Sequence, residues 1–318
     1  MAHAISLCSG VGALDKAIHH LTGSETVVYA ENDPWAAQVM ARLLPGVENL
    51  GPIDKAEWVA VARRYRLRTL IAGWPCQGIS HNGHRLGLDD PRSGLWRNVA
   101  QMIDVIRPEE GFFENVSALR NRGLDVVSGH LNEMDYDLYW TIITAGSIGA
   151  PTTRTRWFGY ARPGAGVTVE VPAPAPVVES VPRLLPTPKA SDGPNGGPNQ
   201  RDGAGNYYLP GIAVRLDDQW RAPELGHDYG PAIRRWERIL GRPAPAPTAP
   251  DARGNLRLSP AFTEWVMGLD DGLITQHTDM PRPQQIKRAG NSVVTLQALA
   301  AYSALRTAAR ANGLSVAA

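Results

Sequence analysis

Cysteine is almost absent: the 318 residues hold two, Cys8 and Cys76, far apart and without metal-ligand spacing around them. Neither a disulfide framework nor a zinc site is expected. Long hydrophobic runs are missing as well. No window approaches ~18 uninterrupted apolar residues, the length at which a membrane-spanning helix becomes the reading. The opening MAHAISLCSG enters a strand-like run with no basic stretch before it, so secretion is not expected either. A dominant charge sign is also lacking, since 32 Lys and Arg against 31 Asp and Glu leave a net charge of +1. General attraction to nucleic acid is therefore weak. Phosphate contacts would have to come from local clusters such as His81, His84, Arg85 and Arg92, or Arg154, Arg156 and Arg162. No internal repeat is present.

What remains is the composition of a folded protein, 43% hydrophobic and 20% charged. The length suffices for one large core and a smaller lobe. Residues 3–160 alternate short apolar runs with stretches of helical spacing. Strands are predicted at 4–7, 26–31, 67–72, 111–114, 138–144 and 157–161, with helices between them such as 13–21 and 34–44. This is the pattern of a doubly wound α/β domain. Composition changes at Arg162, where PGAGVTVEVPAPAPVVESVP is rich in proline and reads as an extended linker or edge segment. Residues 183–254 are loop-rich apart from a helix predicted at 231–240, and an alanine- and leucine-rich helix is predicted at 293–309, packed on the large lobe.

Chemistry-bearing residues gather where these strands end. Ser9, Gly10 and Gly12 form a glycine turn after the first strand, which permits a tight turn or close backbone approach by a ligand. About twenty residues on, the second strand ends at Glu31, where a carboxylate can accept from the two hydroxyls of a ribose. Cys76 follows the strand at 67–72 in the run Gly73-Trp74-Pro75-Cys76-Gln77. That position lies at the crevice where doubly wound folds place ligands. A thiol with an ordinary pKa near 8.5 needs a neighbouring cation or helix terminus to become a good nucleophile at neutral pH. The next strand delivers Glu114 to the same edge.

In chain order, Ser9-Gly10-Val11-Gly12, Glu31, Pro75-Cys76-Gln77, Glu114-Asn115-Val116, Arg154-Thr155-Arg156 and Gly290-Asn291-Ser292-Val293-Val294 resemble the successive motifs of DNA cytosine-C5 methyltransferases. Pro260 to Gly268 is similar to the segment before the last of them. The likeness leaves out only about 163–254, where that family places its variable target-recognition region.

The resemblance implies a mixed, mostly parallel doubly wound sheet of the class I methyltransferase type, with a second, smaller, loop-rich target-recognition domain. Boundaries follow: a catalytic and cofactor-binding domain at 1–165, linker and target recognition at 166–255, a connecting segment at 256–288, and a returning C-terminal helix at 289–318. It implies that Cys76 adds to C6 of a flipped-out cytosine, that Glu114 holds or protonates N3, that Arg156 contacts O2, and that Arg154 braces the pocket or a phosphate. The implied cofactor is S-adenosylmethionine. Its methionine part would lie by Ser9, Gly10 and Gly12, its ribose at Glu31, and its methionine end by Asn291, with Asn32, Asp54 and Pro75 in the same pocket. No metal is implied. Gln77, Ser80, Arg85, Arg92 and Arg201 would meet DNA, with Ser80 on a phosphate, and 80–96 is the segment that would close over it. Asn199, Gln200 and Arg221 are further candidates for base readout. The implied partner is double-stranded DNA, acted on by a monomer in the cytoplasm, with room for a cognate restriction endonuclease in the same system.

Four positions depart from the family pattern. Cys8 stands where an aromatic usually covers the adenine, Asn32 where tryptophan often follows the ribose glutamate, and Pro52 where an aspartate is expected, leaving Asp54 as a substitute. Thr152 replaces the glutamine that commonly follows proline before Arg154. An RNA methyltransferase acting on transfer RNA would share the same motifs, although 183–254 shows no lysine-rich surface or familiar RNA-binding module. A non-catalytic DNA-binding relative would have no need to retain Cys76, Glu114 and Arg156 together.

Overall fold

The computed structural model describes residues 2–75, 94–176, 178, 181, 183–277 and 279–316. Cys76, Gln77, Ser80, His81, His84, Arg85 and Arg92 lie outside the described residues. The chain divides into two compact units, one of 1–143, 155–174 and 298–318, the other of 144–154 and 175–297. Residues 256–288 fold within the second unit.

In the first unit, β1 (His3–Leu7), α1 (Ala13–Thr22), β2 (Glu25–Ala30), α2 (Pro34–Leu43), β3 (Glu48–Asn49), α3 (Trp58–Arg64) and β4 (Leu67–Ala72) follow one another. After them come α4 (Trp96–Ile106), β5 (Glu110–Val116), α5 (Leu119–Arg122), α6 (Leu124–Glu133), β6 (Tyr136–Thr144), β7 (Thr155–Pro163) and β8 (Thr168–Glu170). The eight strands form one sheet in the order β3-β2-β1-β4-β5-β7-β6-β8. β1 pairs parallel with both β2 and β4, β4 pairs parallel with β5, and β7 runs antiparallel to β5. The direction of winding reverses between β1 and β4. In open α/β sheets that reversal opens a crevice beyond the carboxyl ends of the strands.

Local sequence explains the main elements. In β4, all residues but Arg68 are buried, as expected of a strand covered on both faces. α1 starts after left-handed Gly12 (φ 74°) and stops at left-handed Gly23 (φ 68°), a conformation glycine adopts without a Cβ penalty. α2 is capped by Asp33, whose side chain accepts from the amides of Trp35 and Ala36, with Pro34 in the first turn. α4 buries Trp96, Val99, Ala100, Met102 and Ile103 along one face. Trp96 packs on Trp74 with ring centroids 4.8 Å apart and on Phe113 at 5.6 Å, while Trp157 meets Trp74 edge-on at 6.5 Å. This aromatic cluster fixes the segment that leads from β4 toward Cys76.

The predicted strand at 67–72 matches β4, and those at 4–7 and 26–31 lie within one residue of β1 and β2. β5, β6 and β7 begin or end further out than predicted because their polar ends, Glu110 and Arg156 among them, are drawn into the sheet by pairing and not by hydrophobic pattern. The proline-rich stretch does supply an edge strand, β8, of three residues.

The second unit holds α7 (Leu209–Ala213), β9 (Arg221–Ala222), β10 (His227–Asp228), α8 (Gly230–Leu240), β11 (Thr248–Pro250), β12 (Leu256–Leu258), α9 (Pro260–Val266) and α10 (Arg282–Asn291). α11 (Thr295–Val316) follows, and from Ala298 on it belongs to the first unit, where the Tyr302 hydroxyl donates to the Phe113 carbonyl at 2.7 Å. Gly290 and Asn291 therefore close α10, where the sequence placed them at the start of the final helix. A Cβ on Gly290 would stand 2.5 Å from the Lys189 carbonyl carbon, so only glycine lets α10 approach that turn.

Candidate active site

The strand register brings the expected residues together at one edge of the sheet. Leu7 is opposite Ala30 on β2 and Ala72 on β4, and Ala72 is opposite Phe113 on β5. The next residues, Cys8, Glu31, Gly73 and Glu114, therefore emerge side by side. A Cβ on Gly73 would lie 3.7 Å from Glu114 Oε2 and 4.0 Å from the Cys8 carbonyl oxygen.

On one side of this edge the glycine turn meets Glu31. The Gly10 amide donates to Glu31 Oε2 at 2.8 Å, and the Asp33 amide donates to Oε1 at 2.8 Å. Gly10 sits at φ 56°, and nothing lies within 4 Å of where its Cβ would be. An open backbone face beside an anchored carboxylate fits a nucleoside ligand, because a carboxylate at a strand end can accept from ribose hydroxyls. Ser9 turns back, its hydroxyl donating to the Ser6 carbonyl at 3.3 Å. Asn32 is exposed, and Asp54 is exposed in a short 3-10 turn after Pro52.

Asn49 was missed by sequence reasoning. Its Oδ1 accepts from the amides of Glu31 and Gly51, both at 3.0 Å, while its Nδ2 donates to the Glu31 carbonyl at 3.0 Å. It thus ties the tip of β2 to the turn that carries Pro52 and Asp54. The sequence offered no signal for it, since an asparagine two residues before Gly51 reads as an ordinary turn residue.

Cys8 is also at positive φ (55°). Burial pushes its thiol up to about 12, with the Glu31 charge adding to the effect. At neutral pH it is a protonated, poorly nucleophilic group.

On the other side, Arg156 Nε lies 2.9 Å from Glu114 Oε1, both side chains about 15% exposed. The pair follows from strand register: Glu114 is opposite Phe158 and Val116 opposite Arg156, so the two side chains are diagonal neighbours on one face. Arg156 Nη1 also donates to its neighbour Thr155's carbonyl at 2.9 Å. Asn115, between the members of the Glu-Asn-Val run, donates from Nδ2 to the Trp74 carbonyl at 3.0 Å, fixing the chain just before the exposed Pro75.

Arg154 belongs to the second unit and is 1% exposed. Its guanidinium donates to the carbonyls of Gly290 at 3.2 Å, of Pro188 at 3.4 Å, and of Ser292. Gln297 Nε2 donates to its carbonyl at 3.2 Å. Thr152 is fully buried, and its hydroxyl has no hydrogen-bond partner among the described residues. Asn291 is exposed at the end of α10 in the same unit. Arg201 is exposed, stacked 3.7 Å above the Tyr207 ring, and donates to the Gly205 carbonyl at 2.9 Å. Arg215 also lies over the Tyr207 ring, at 4.0 Å, so the glycine-rich stretch is an organised turn. Asn199 Oδ1 accepts from Arg215 at 3.2 Å, and Arg221 pairs with Asp217 at 3.0 Å. No group of metal-binding side chains occurs among the described residues.

The strand order, the antiparallel β7 and the ligand cradle at the reversal point define a class I methyltransferase fold. The chain belongs to the C-5 cytosine-specific DNA methylase family, whose model matches residues 2–165. It is similar to the type II methyltransferase M.MspI of a Moraxella species, 28% identical over 186 residues, covering 57% of this chain and 43% of that protein. M1.ScrFI of Lactococcus lactis subsp. cremoris is 28% identical over 181 residues, 55% of this chain and 46% of its own length. The chain thus spans less than half the length of these relatives. Among solved structures, the Entamoeba histolytica methyltransferase EhMeth superposes with a TM-score of 0.65 at 16% identity, covering 96% of this chain and 98% of that one, which shows a common fold. The family's methyl donor is S-adenosylmethionine, and the open Gly10 face with Glu31 beside it fits such a group. No helix among the described residues is long and apolar enough to cross a membrane.

Proposed function

We propose that this chain methylates C5 of a flipped-out cytosine in a specific double-stranded DNA sequence through a covalent Cys76–C6 adduct. The observation that carries the reading is the Glu114–Arg156 pair at 2.9 Å, with Glu114 Oε2 3.7 Å from where a Cβ on Gly73 would stand; Cys76 follows Gly73 by three residues in the sequence. N3 and O2 of cytosine are flanking atoms of one ring edge. A carboxyl and a guanidinium already side by side can engage both at once.

Cytosine C5 is a weak nucleophile. Addition of the Cys76 thiolate at C6 pushes an electron pair toward N3 and O2 and makes C5 enamine-like. Glu114 holds or supplies the proton at N3, and Arg156 donates to O2, where negative charge develops. Bound S-adenosylmethionine supplies an electrophilic methyl group, with Glu31 and the Ser9–Gly12 turn holding its ribose and methionine portions. Loss of the C5 proton then returns the electron pair and expels Cys76. Arg154, committed to backbone carbonyls, acts as a positioning residue. Removing the base from the stack costs a few kcal/mol, and Gln77, Ser80, Arg85, Arg92 and Arg201 are the proposed DNA contacts. A cognate endonuclease in the same system, a monomeric state and a cytoplasmic location belong to the same reading.

The test is expression in a host without cytosine methylation, followed by base-resolution mapping of 5-methylcytosine. One methylated motif, absent with Cys76→Ala, is the expected result. Unmodified DNA alongside methylated transfer RNA would replace the substrate, and DNA methylation by the Cys76→Ala protein would overturn the mechanism.

A further inference from the structure

Within the second unit, α8 carries three arginines and one glutamate in eleven residues. Its single acid is engaged elsewhere: Glu237 Oε1 accepts from the Ala244 amide at 2.9 Å. Arg235 is buried and donates to the carbonyls of Gly149 at 3.0 Å and Ala150 at 3.4 Å, which anchors the helix on the turn at 145–149. Arg234 and Arg238 are exposed, and no carboxylate pairs with either of them among the described residues. Spaced four apart, they lie on one helical face, about 6 Å apart along the axis.

These arginines open onto a pocket of about 650 Å³ lined by Val178, Val181, Pro231 and Ile239 together with the three guanidinium-bearing side chains. Two glycines make room for it. A Cβ on Gly149 would stand 2.2 Å from Ile239 Cδ1, and one on Gly230 would stand 2.6 Å from Arg234 Nη1. Gly230 therefore lets the Arg234 guanidinium fold against the start of the helix. Arg235 is held below the usual arginine range, first by burial and then by the charge of Arg238. Two exposed guanidinium forks over an aliphatic floor match a polyanion whose charges repeat, and guanidinium forks bind phosphate oxygens in pairs.

We infer that the Arg234–Arg238 pocket of α8 binds backbone phosphates of the nucleic-acid substrate. The site strengthens substrate capture without taking part in chemistry, and it offsets the near-zero net charge of the chain with a local cation pair. This inference rests on the reading that the substrate is DNA.

The test uses the full chain and a random-sequence duplex, so that it is independent of the recognised motif. Binding is measured between about 50 and 200 mM salt for the wild type, Arg234→Gln/Arg238→Gln and Arg234→Lys/Arg238→Lys. Each phosphate that is no longer neutralised should flatten the slope of log affinity against log salt by about 0.9. The glutamine pair should therefore flatten it by close to two units. The lysine pair should keep the wild-type slope, and kcat at saturating DNA should be unchanged in both. A wild-type slope in the glutamine pair overturns the inference, as does a flattened slope in the lysine pair, which would mark a packing defect. Methyl transfer by the wild type is assayed separately. If it transfers methyl groups to DNA yet the slope is unaffected, the pocket inference alone fails; if it leaves DNA unmodified, the substrate reading fails.

Discussion

The amide of Gly10 and the carboxylate of Glu31 meet at 2.8 Å, joining the turn after β1 to the tip of β2. The bond fixes the carboxylate next to the open face of Gly10, so the proposed ribose contact is organised before any ligand arrives. Glu31→Ala should raise the KM for S-adenosylmethionine by about tenfold to a hundredfold, since hydrogen bonds to charged groups contribute roughly 1.5–3 kcal/mol. The kcat at saturating cofactor should change little. Initial-rate kinetics with varied cofactor check this; a fall confined to kcat would remove Glu31 from the cofactor site.

Arg156 and Glu114 should both show the reverse of the Glu31 pattern. In the proposed mechanism both groups act on charge that develops only after the thiolate has added, so Arg156→Ala and Glu114→Gln should each lower kcat by about a hundredfold to a thousandfold, the usual effect of deleting a donor to a developing charge. Cofactor KM should be preserved. Single-turnover methyl transfer to duplex DNA measures the chemical step directly. Equal losses in both parameters would instead indicate a disrupted fold.

The two cysteines should separate cleanly. Cys8 is pushed up to about 12 by burial and by Glu31, and remains protonated across the neutral range. Iodoacetamide at neutral pH should therefore label Cys76 and inactivate the protein, while Cys8→Ala retains activity and the same labelling stoichiometry. Peptide mass mapping after brief alkylation decides it: preferential modification of Cys8 contradicts this assignment.

The doubly wound domain was legible because its strands alternate with helices and end in motifs, and β4 could be bounded to the residue. The convergence of Glu31, Gly73 and Glu114 was legible for the same reason: a strand end fixes where a side chain emerges. Other features depended on contacts distant in sequence. Nothing local marks Asn49 as the tie between Glu31 and Gly51, or the Tyr302 hydroxyl as support for the Phe113 carbonyl. Arg154 reads in sequence like Arg156, yet one is buried among carbonyls and the other faces a carboxylate. The stacking of Arg201 and Arg215 on Tyr207 likewise follows from a turn whose glycines carry no periodicity.

Asp192 provides a test of the second unit by pH. Its Oδ2 accepts from the Lys189 amide at 2.9 Å, holding the turn that Gly290 approaches, while Oδ1 has no partner among the described residues. Burial raises its pKa from 3.8 to about 6, against the smaller opposing pull of the Lys189 amide and charge. A raised carboxyl pKa means that the folded state holds the proton more tightly than the unfolded chain. The resulting stabilisation is complete below 3.8 and is lost as pH rises through about 6. Two units correspond to roughly 3 kcal/mol. In Asp192→Asn the amide oxygen still accepts from Lys189, but nothing titrates. The stability of Asp192→Asn relative to the wild type should therefore rise by a few kcal/mol between about pH 4 and 7. Denaturant unfolding of both proteins at the two pH values measures the difference; a pH-independent gap would mean that Asp192 stays ionised in the folded state.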